Sequence, residues 1–196
     1  MLTKKLHYHT GLTLSVFITL HLFNHLSSII GVETHLELME TLRLIYRNVI
    51  VETILLLTVI FQIISGVSLF RAKRKAALFG FDKLHIWSGL YLAFFLVAHV
   101  SAVFVGRFLL HVDTNFYFGA AGLNDFPSGL FFYPYYGLAV LAVFAHFASV
   151  HYKKMEYNVA GLTPYRQAQA ILITGAIMTL TIFYGLTNGF RGITMP

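Results

Sequence analysis

Residues 7–21 read HYHTGLTLSVFITLH and residues 85–99 read HIWSGLYLAFFLVAH. Each stretch begins and ends with a histidine and has thirteen residues between the two. Aligned without gaps, the stretches also share a hydroxyl residue and a glycine after the first histidine, Thr10-Gly11 and Ser88-Gly89. Fourteen residues cover about 21 Å of an α-helix and close almost four turns. The pattern therefore predicts two related helices, each with its two histidines on nearly one face at opposite depths.

The composition around these stretches is that of a membrane protein. Of the 196 residues, 57% are hydrophobic and 11% are charged, whereas roughly 25% are charged in an ordinary soluble domain. Five uncharged intervals are each near or above the about 20 residues that a helix needs to cross a bilayer. We predict an all-α integral membrane bundle that forms a single domain over residues 1–196, with five transmembrane helices at 7–30, 46–71, 84–106, 130–152 and 166–189.

The positive charges predict how these helices are oriented, because Lys and Arg are enriched in cytoplasmic loops. Ten of the fourteen lie in one alternating set of segments, and the other set holds six of the eight acidic residues. We therefore predict a multi-pass protein of the inner (cytoplasmic) membrane, with the N-terminus cytoplasmic and the C-terminus outside. The net charge of +6 lies in short loops without an extended basic face, so we expect no nucleic-acid partner.

An internal helix-pair repeat is predicted from a second, fainter correspondence. In the second span, Gln62 and Ser65 precede Arg71, as His146 and Ser149 precede Lys153 in the fourth. The first and third spans run in the same direction because two connections separate them. Corresponding histidines are therefore expected at corresponding depths, and the chain is read as two related helix pairs followed by a fifth helix.

The matched histidines predict a haem site, because two histidines from facing helices can hold haem b and the apolar porphyrin suits a bilayer. His21 and His99 are predicted haem-iron ligands, since a histidine deep in a membrane is costly without a partner. His7 and His85 offer a second pair near the other surface, where an interfacial or helix-packing role is an equal alternative. The chain has no cysteine, so any cofactor must be held by other side chains.

Further polar residues lie near the ends of the predicted spans. His146 stands inside the fourth span and needs a partner. At the outer end of the first two spans, His25, Asn24, Arg47 and Glu52 are candidates to hydrogen-bond a quinone or haem propionates, with an ordinary polar helix end as the alternative. A di-iron or zinc site would need carboxylates, which the span interiors lack.

These motifs resemble those of the five-helix, di-haem cytochrome b subunit that anchors succinate dehydrogenases and fumarate reductases. The resemblance rests on Thr10-Gly11 followed by His21, on Ser88-Gly89 followed by His99, and on His146 before Lys153. It implies that His21 and His99 hold an outer haem, and that the fourth-span ligand of an inner haem is His146. It also implies flavoprotein and iron–sulfur partner subunits at the cytoplasmic face, with electrons passing between them and membrane quinone.

Two positions depart from that family. The second span has no histidine; Gln62 stands about where the inner haem ligand belongs, and Gly66 is the other possible alignment. Phe144 stands where the family has a glutamate linked to proton movement. Three alternatives follow for an inner haem: it is lost, it is held by His7 and His85, or His146 pairs with one of these.

Three functions remain open at this point. The first is an electron-transfer subunit of the family's type, which is not itself catalytic for the soluble substrate because no flavin fingerprint is present. The second is a stand-alone haem-containing membrane oxidoreductase that exchanges electrons between quinone and a small outer-side acceptor or donor. The third is a histidine-lined metal carrier without haem.

Overall fold

The structure is a computed structural model that describes residues 2–76 and 79–195. Within these ranges the chain is helical and contains no strand. The α-helices, in chain order, are α1 (Leu2–Ser27), α2 (Val32–Tyr46), α3 (Val49–Lys73), α4 (Gly80–Phe104), α5 (Phe116–Ala120), α6 (Gly129–Lys154) and α7 (Pro164–Leu186). A π-helical turn, Val105–Leu109, continues α4. The all-α class is confirmed.

Four of the described helices are long and apolar enough to cross a membrane: α3, α4 with its π-helical turn, α6 and α7. Large apolar side chains in their middles face outward, and Ile64, Phe94 and Leu180 are 66%, 58% and 64% exposed. Such a surface suits lipid rather than water. The predicted span 7–30 corresponds to α1, which falls outside this group because its histidines, its threonines and Asn24 lower its mean hydropathy.

The five long helices form a closed ring. α1 packs on α3, α3 on α4, α4 on α6, α6 on α7, and α7 returns to α1. α3 and α6 end, and α1 and α4 begin, at one end of this ring, where Lys73, Lys153 and Lys154 lie; we call it the basic end. The other end, beside α2, is called the α2 end.

α2 was not predicted, because its sequence is charged and too short to span a bilayer. It buries one stripe of side chains spaced four residues apart, His35, Met39 and Arg43, as a helix on the surface of a bundle does. Arg43 is 7% exposed and donates to Asp113 Oδ1 at 2.9 Å. That ion pair ties α2 to the connection between α4 and α6.

The connection from α4 to α6 is structured and contains α5. Phe116, Ala120 and Leu123 pack on the last turns of α7 through Ile182 and Leu186 to form the described hydrophobic core of the α2 end. At the start of α7, Thr163 accepts a hydrogen bond from the Arg166 backbone and Pro164 occupies the first turn, which is the usual chemistry of a helix N-terminus.

α7 packs tightly on its two neighbours through glycines. A β-carbon at Gly175 would lie 2.5 Å from Cβ of Phe144, so the Phe144 side chain faces α7. This contact explains the phenylalanine at that position in physical terms: the residue fills the space that Gly175 leaves. At the α2 end, Gly185 approaches Ser28 and Ile29, which follow α1.

Gly185→Ala is expected to destabilise the protein by about 1–3 kcal/mol, because overpacking a tight contact forces the backbone to move. The new β-carbon would meet Ser28 Oγ and lie 2.9 Å from the backbone nitrogen of Ile29. Thermal unfolding of the detergent-solubilised protein measures the effect. The matched control is Gly119→Ala in α5, where a β-carbon meets no described atom within 4 Å; an equal loss in both variants would contradict the prediction.

Candidate functional site

A cavity of about 1250 Å³ lies inside the helix ring, larger than the roughly 300–1,000 Å³ of ordinary ligand pockets. It reaches from Lys73 and Lys153 at the basic end to Arg47, Glu52 and Arg107 at the α2 end. Nine of the ten histidines of the chain line it: His7, His9, His21, His25, His35, His85, His99, His146 and His151. A space of this size with so many imidazoles has the donor groups and the room for a large apolar cofactor.

His21 of α1 and His99 of α4 approach each other across the cavity, with ring centroids 6.0 Å apart. Two imidazoles that bind one metal ion from opposite sides, each at about 2 Å from it, need ring centres about 6 Å apart. Phe17 stacks on His21 and Phe95 stacks on His99, with interplanar angles of 15° and 13°. The two candidate ligands therefore have the same aromatic support, one turn away on their own helices, and their separation fits a haem iron.

Asn24, His25 and His35 form a polar cluster beside this pair. His25 Nε2 lies 3.3 Å from His21 Nε2, and the Asn24 amide lies 3.2 Å from His35 Nε2. Within the described residues, three buried atoms of the cluster have no hydrogen-bond partner: Asn24 Oδ1, His25 Nδ1 and His35 Nδ1. Buried polar atoms are rarely left unpaired. Their presence on the cavity wall indicates a site for a polar group that is not part of the chain.

Arg47 and Glu52 line the cavity but have protein partners. Glu52 forms an ion pair with Arg107, and Arg47 donates to Thr114 Oγ1 at 3.2 Å and lies 3.8 Å from Asp113 Oδ1. The structure thus brings the four residues considered for quinone binding to the α2 end of one cavity. Arg47 and Glu52 form ion pairs there, whereas Asn24 and His25 each keep a buried atom without a hydrogen-bond partner among the described residues.

Gln62 and His146 occupy corresponding positions on α3 and α6. The Gln62 amide donates to Thr10 Oγ1 at 2.7 Å, and His146 Nδ1 lies 3.4 Å from Ser88 Oγ. A β-carbon at Gly11 would lie 3.4 Å from Gln62 Nε2, and one at Gly89 would lie 3.2 Å from His146 Cε1. Each of these two glycines therefore makes room for a side chain of the neighbouring helix.

The remaining histidines near the basic end have distinct partners. His7 Nδ1 lies 2.7 Å from Ser65 Oγ on α3. His85 Nδ1 lies 2.9 Å from Lys153 Nζ, and the rings of His85 and His146 are 4.5 Å apart between centroids. The structure therefore brings all three predicted residues to one region, but His85 and His146 are too close together in this arrangement for an iron between them.

His35 is the residue of this site that the sequence did not reveal. It is 2% exposed and its ring contacts Phe116 at 5.0 Å between centroids. His35, Met39 and Arg43 are spaced four residues apart, and this spacing is typical of the buried face of a helix. That signal is weak because the intervening glutamates make the segment look like an exposed loop.

The fold and the cavity define an all-helical protein of transmembrane character with a histidine-lined interior. Compared with known proteins, the chain matches no family model, no curated protein and no solved structure. Among the described residues there is no group of three or more His, Cys, Asp or Glu side chains that could hold a metal ion.

Acidification is expected to destabilise the protein through His35. Burial and the nearby positive charge of Arg43 lower the pKa of His35 from 6.5 to about 4. Between these two values the unfolded chain binds the proton and the folded chain does not, so the free energy of unfolding falls as the pH falls through this window. A shift of this size corresponds to about 3 kcal/mol.

Thermal unfolding across this pH window, in the wild type and in His35→Phe, measures that contribution. The wild type should lose more stability than the variant as the pH falls from 6.5 to 4. Parallel losses in the two proteins would mean that His35 does not couple protonation to unfolding.

Proposed function

We propose that the chain is a b-type cytochrome of the inner membrane that holds haem b between α1 and α4 and transfers electrons to or from membrane quinone. One observation carries the proposal: His21 and His99, from two different helices, approach each other at the separation that one iron between them requires. Bound haem would supply the capacity to accept and release one electron at a time. His21 and His99 would hold the iron, with Phe17 and Phe95 stacked on their rings, inside an apolar cavity.

The quinone is proposed to react at the α2 end, beside the polar cluster of Asn24, His25 and His35. His35 accepts from the Asn24 amide at Nε2 and so carries its hydrogen on Nδ1, which can donate to a quinone carbonyl, and Asn24 Oδ1 can accept from the hydroxyl of a quinol. Because quinone reduction consumes two electrons and two protons, groups that accept and donate hydrogen bonds are needed beside the electron carrier. Arg47 and the pair of Glu52 with Arg107 complete the polar wall.

We propose that α1 is the fifth membrane-spanning helix and that the two helix pairs are a repeat. The histidines of α1 and Asn24 line the cavity. Thr13 and Thr19 are exposed, and their hydroxyls donate to the carbonyl oxygens of His9 and Ser15 within the helix. By the positive-inside rule the basic end is cytoplasmic. There the basic residues that end α3 and α6 would receive a flavin and iron–sulfur partner of the succinate dehydrogenase or fumarate reductase type, as the sequence resemblance implies.

The second candidate is a stand-alone membrane oxidoreductase that exchanges electrons between quinone and a small acceptor or donor on the outer side. Two features favour it. Gln62 is engaged with α1 at the position where the family has a haem ligand, and Phe144 packs on Gly175 at the position where the family has a glutamate.

An absorption spectrum of the purified protein, reduced minus oxidised, tests the proposal. We expect the bands of a bis-histidine b-type haem, with at least one haem per chain. A protein that is purified from haem-replete cells without such bands would contradict both candidates. Isolation of the native complex separates them, because only the first candidate requires flavoprotein and iron–sulfur subunits.

A further inference from the structure

We propose that a second haem, at the basic end, is held by His7 of α1 and His146 of α6, and that His85 is not a ligand. The inference rests on the proposed function, since it assigns residues to a second centre of the same cofactor. In the family that the sequence resembles, the inner haem takes one ligand from the second span and one from the fourth. Here we propose that the ligands come from the first span and the fourth.

The first observation concerns the ring nitrogens of His7. Ser65 donates its hydroxyl hydrogen to the carbonyl oxygen of Phe61 at 2.6 Å, so its oxygen is left to accept a hydrogen bond. His7 Nδ1 lies 2.7 Å from that oxygen and is therefore the donor. A neutral imidazole with its hydrogen on Nδ1 has a free lone pair on Nε2. Histidines that bind metals are commonly fixed in this manner, by a hydrogen bond from the nitrogen that does not bind.

His146 has the same arrangement on the other side of the cavity. Ser88 donates its hydroxyl hydrogen to the carbonyl oxygen of His85 at 3.1 Å, and its oxygen faces His146 Nδ1 at 3.4 Å. The hydrogen of His146 is thus directed to Nδ1 and its Nε2 keeps the lone pair. Gly89 permits the ring to lie against α4.

His85 has the opposite arrangement. The ammonium group of Lys153 can only donate, and its Nζ lies 2.9 Å from His85 Nδ1. His85 Nδ1 is therefore an acceptor, and the ring hydrogen is on Nε2, where it blocks binding to a metal. Lys153 is held in this position by Asp82, at 2.8 Å.

Gln62 accounts for the move of the ligand from α3 to α1. Its amide donates to the carbonyl oxygen of His7 and to Thr10 Oγ1, each at 2.7 Å, and so fixes the segment of α1 that carries His7. The His7 ring then lies over Ser65 and Gly66 of α3, with Cε1 3.6 Å from the β-carbon position of Gly66. The space beside the second span is thereby filled by an imidazole from the first.

The two proposed ligands also lie at one depth. Ser65, Ser88 and His146 each stand eight residues from the end of their helix at the basic end, which is Lys73, Gly80 and Lys154 respectively. His7 is at the level of Ser65 because it contacts it. His7 and His146 thus line one cavity at the same depth, each with a free Nε2 atom, as two ligands of a second haem would.

Counting the haems per chain by the pyridine haemochrome method tests the assignment in the full-length protein. We expect two haems in the wild type, one in His7→Ala and in His146→Ala, and two in His85→Ala. The control is His111→Asn, since His111 lies off the cavity and has a positive φ of 51°, which asparagine tolerates; it should keep two.

Two further variants exclude loss of folding as the cause. His7→Met offers a thioether in place of the imidazole, and a histidine–methionine pair raises the reduction potential of a haem; one of the two haems should shift upward. Ser65→Ala removes the positioning hydrogen bond and should weaken haem binding at this site about 10–100-fold, and should shift the potential of the same haem.

The outcomes separate this inference from the proposed function. Loss of one haem from His85→Ala, with two retained in His7→Ala, overturns the assignment. One haem in the wild type that survives both His7→Ala and His146→Ala overturns the second centre and leaves the pair of His21 and His99 in place. A wild type that binds no haem overturns the proposed function itself.

Discussion

His21→Ala and His99→Ala are each expected to remove one haem per chain and to leave the other. In the proposed site each imidazole would supply one of the two bonds from the protein to the iron, and the two side chains come from different helices, so neither helix alone could compensate. Reduced-minus-oxidised spectra of the purified variants should keep about half of the wild-type absorbance. Because the two proposed sites have separate ligands, the remaining haem should keep its own reduction potential.

Added imidazole distinguishes a missing ligand from a misfolded chain. In His99→Gly the space of the side chain is open to a small molecule, and free imidazole should restore haem binding in a concentration-dependent manner. The same addition should change nothing in His111→Asn. A variant at His21 or His99 that keeps the full wild-type spectrum would remove the observation on which the proposed function rests.

The proximity of His21 and His99 is the feature of the candidate site that the sequence predicts best. Helical periodicity fixes the depth of each histidine along its span, and two spans that run in the same direction bring equal depths together. The prediction needed no knowledge of which helices are neighbours in the ring. For the same reason the pattern could not choose among His7, His85 and His146, since that choice depends on contacts with Ser65, Ser88 and Lys153 on other helices.

The α2 end was the least predictable part of the fold. Arg47 and Glu52 look like free charges in the sequence, but Thr114 and Arg107 partner them from more than fifty positions away along the chain. α2 itself carries glutamates on its exposed face, and such a local pattern of charge predicts a loop. The burial of His35 depends on the connection between α4 and α6, which packs against α2 through Phe116, so the local sequence of α2 does not predict it.

The double variant Asn24→Leu/His35→Phe is expected to keep its stability and to lose its affinity for quinol. The two side chains hydrogen-bond to each other and each has an unpaired buried atom. Replacing one of them leaves the other with a further unpaired atom, at a cost of about 1–3 kcal/mol, whereas replacing both by apolar groups of similar shape is nearly neutral. Each single variant should therefore unfold at a lower temperature than the double variant.

Quinol affinity should follow the opposite order, because the double variant lacks two of the groups that would bind the quinol. Stopped-flow reduction of the haem by a short-chain quinol should then need about ten times more quinol for half-maximal rate, equivalent to about 1.4 kcal/mol, with an unchanged haem count. Thr41→Leu, on the exposed face of α2, is the matched control and should alter neither quantity. If the double variant reacts with quinol as the wild type does, the quinone binds elsewhere on the protein, and the unpaired atoms of Asn24, His25 and His35 have a different partner.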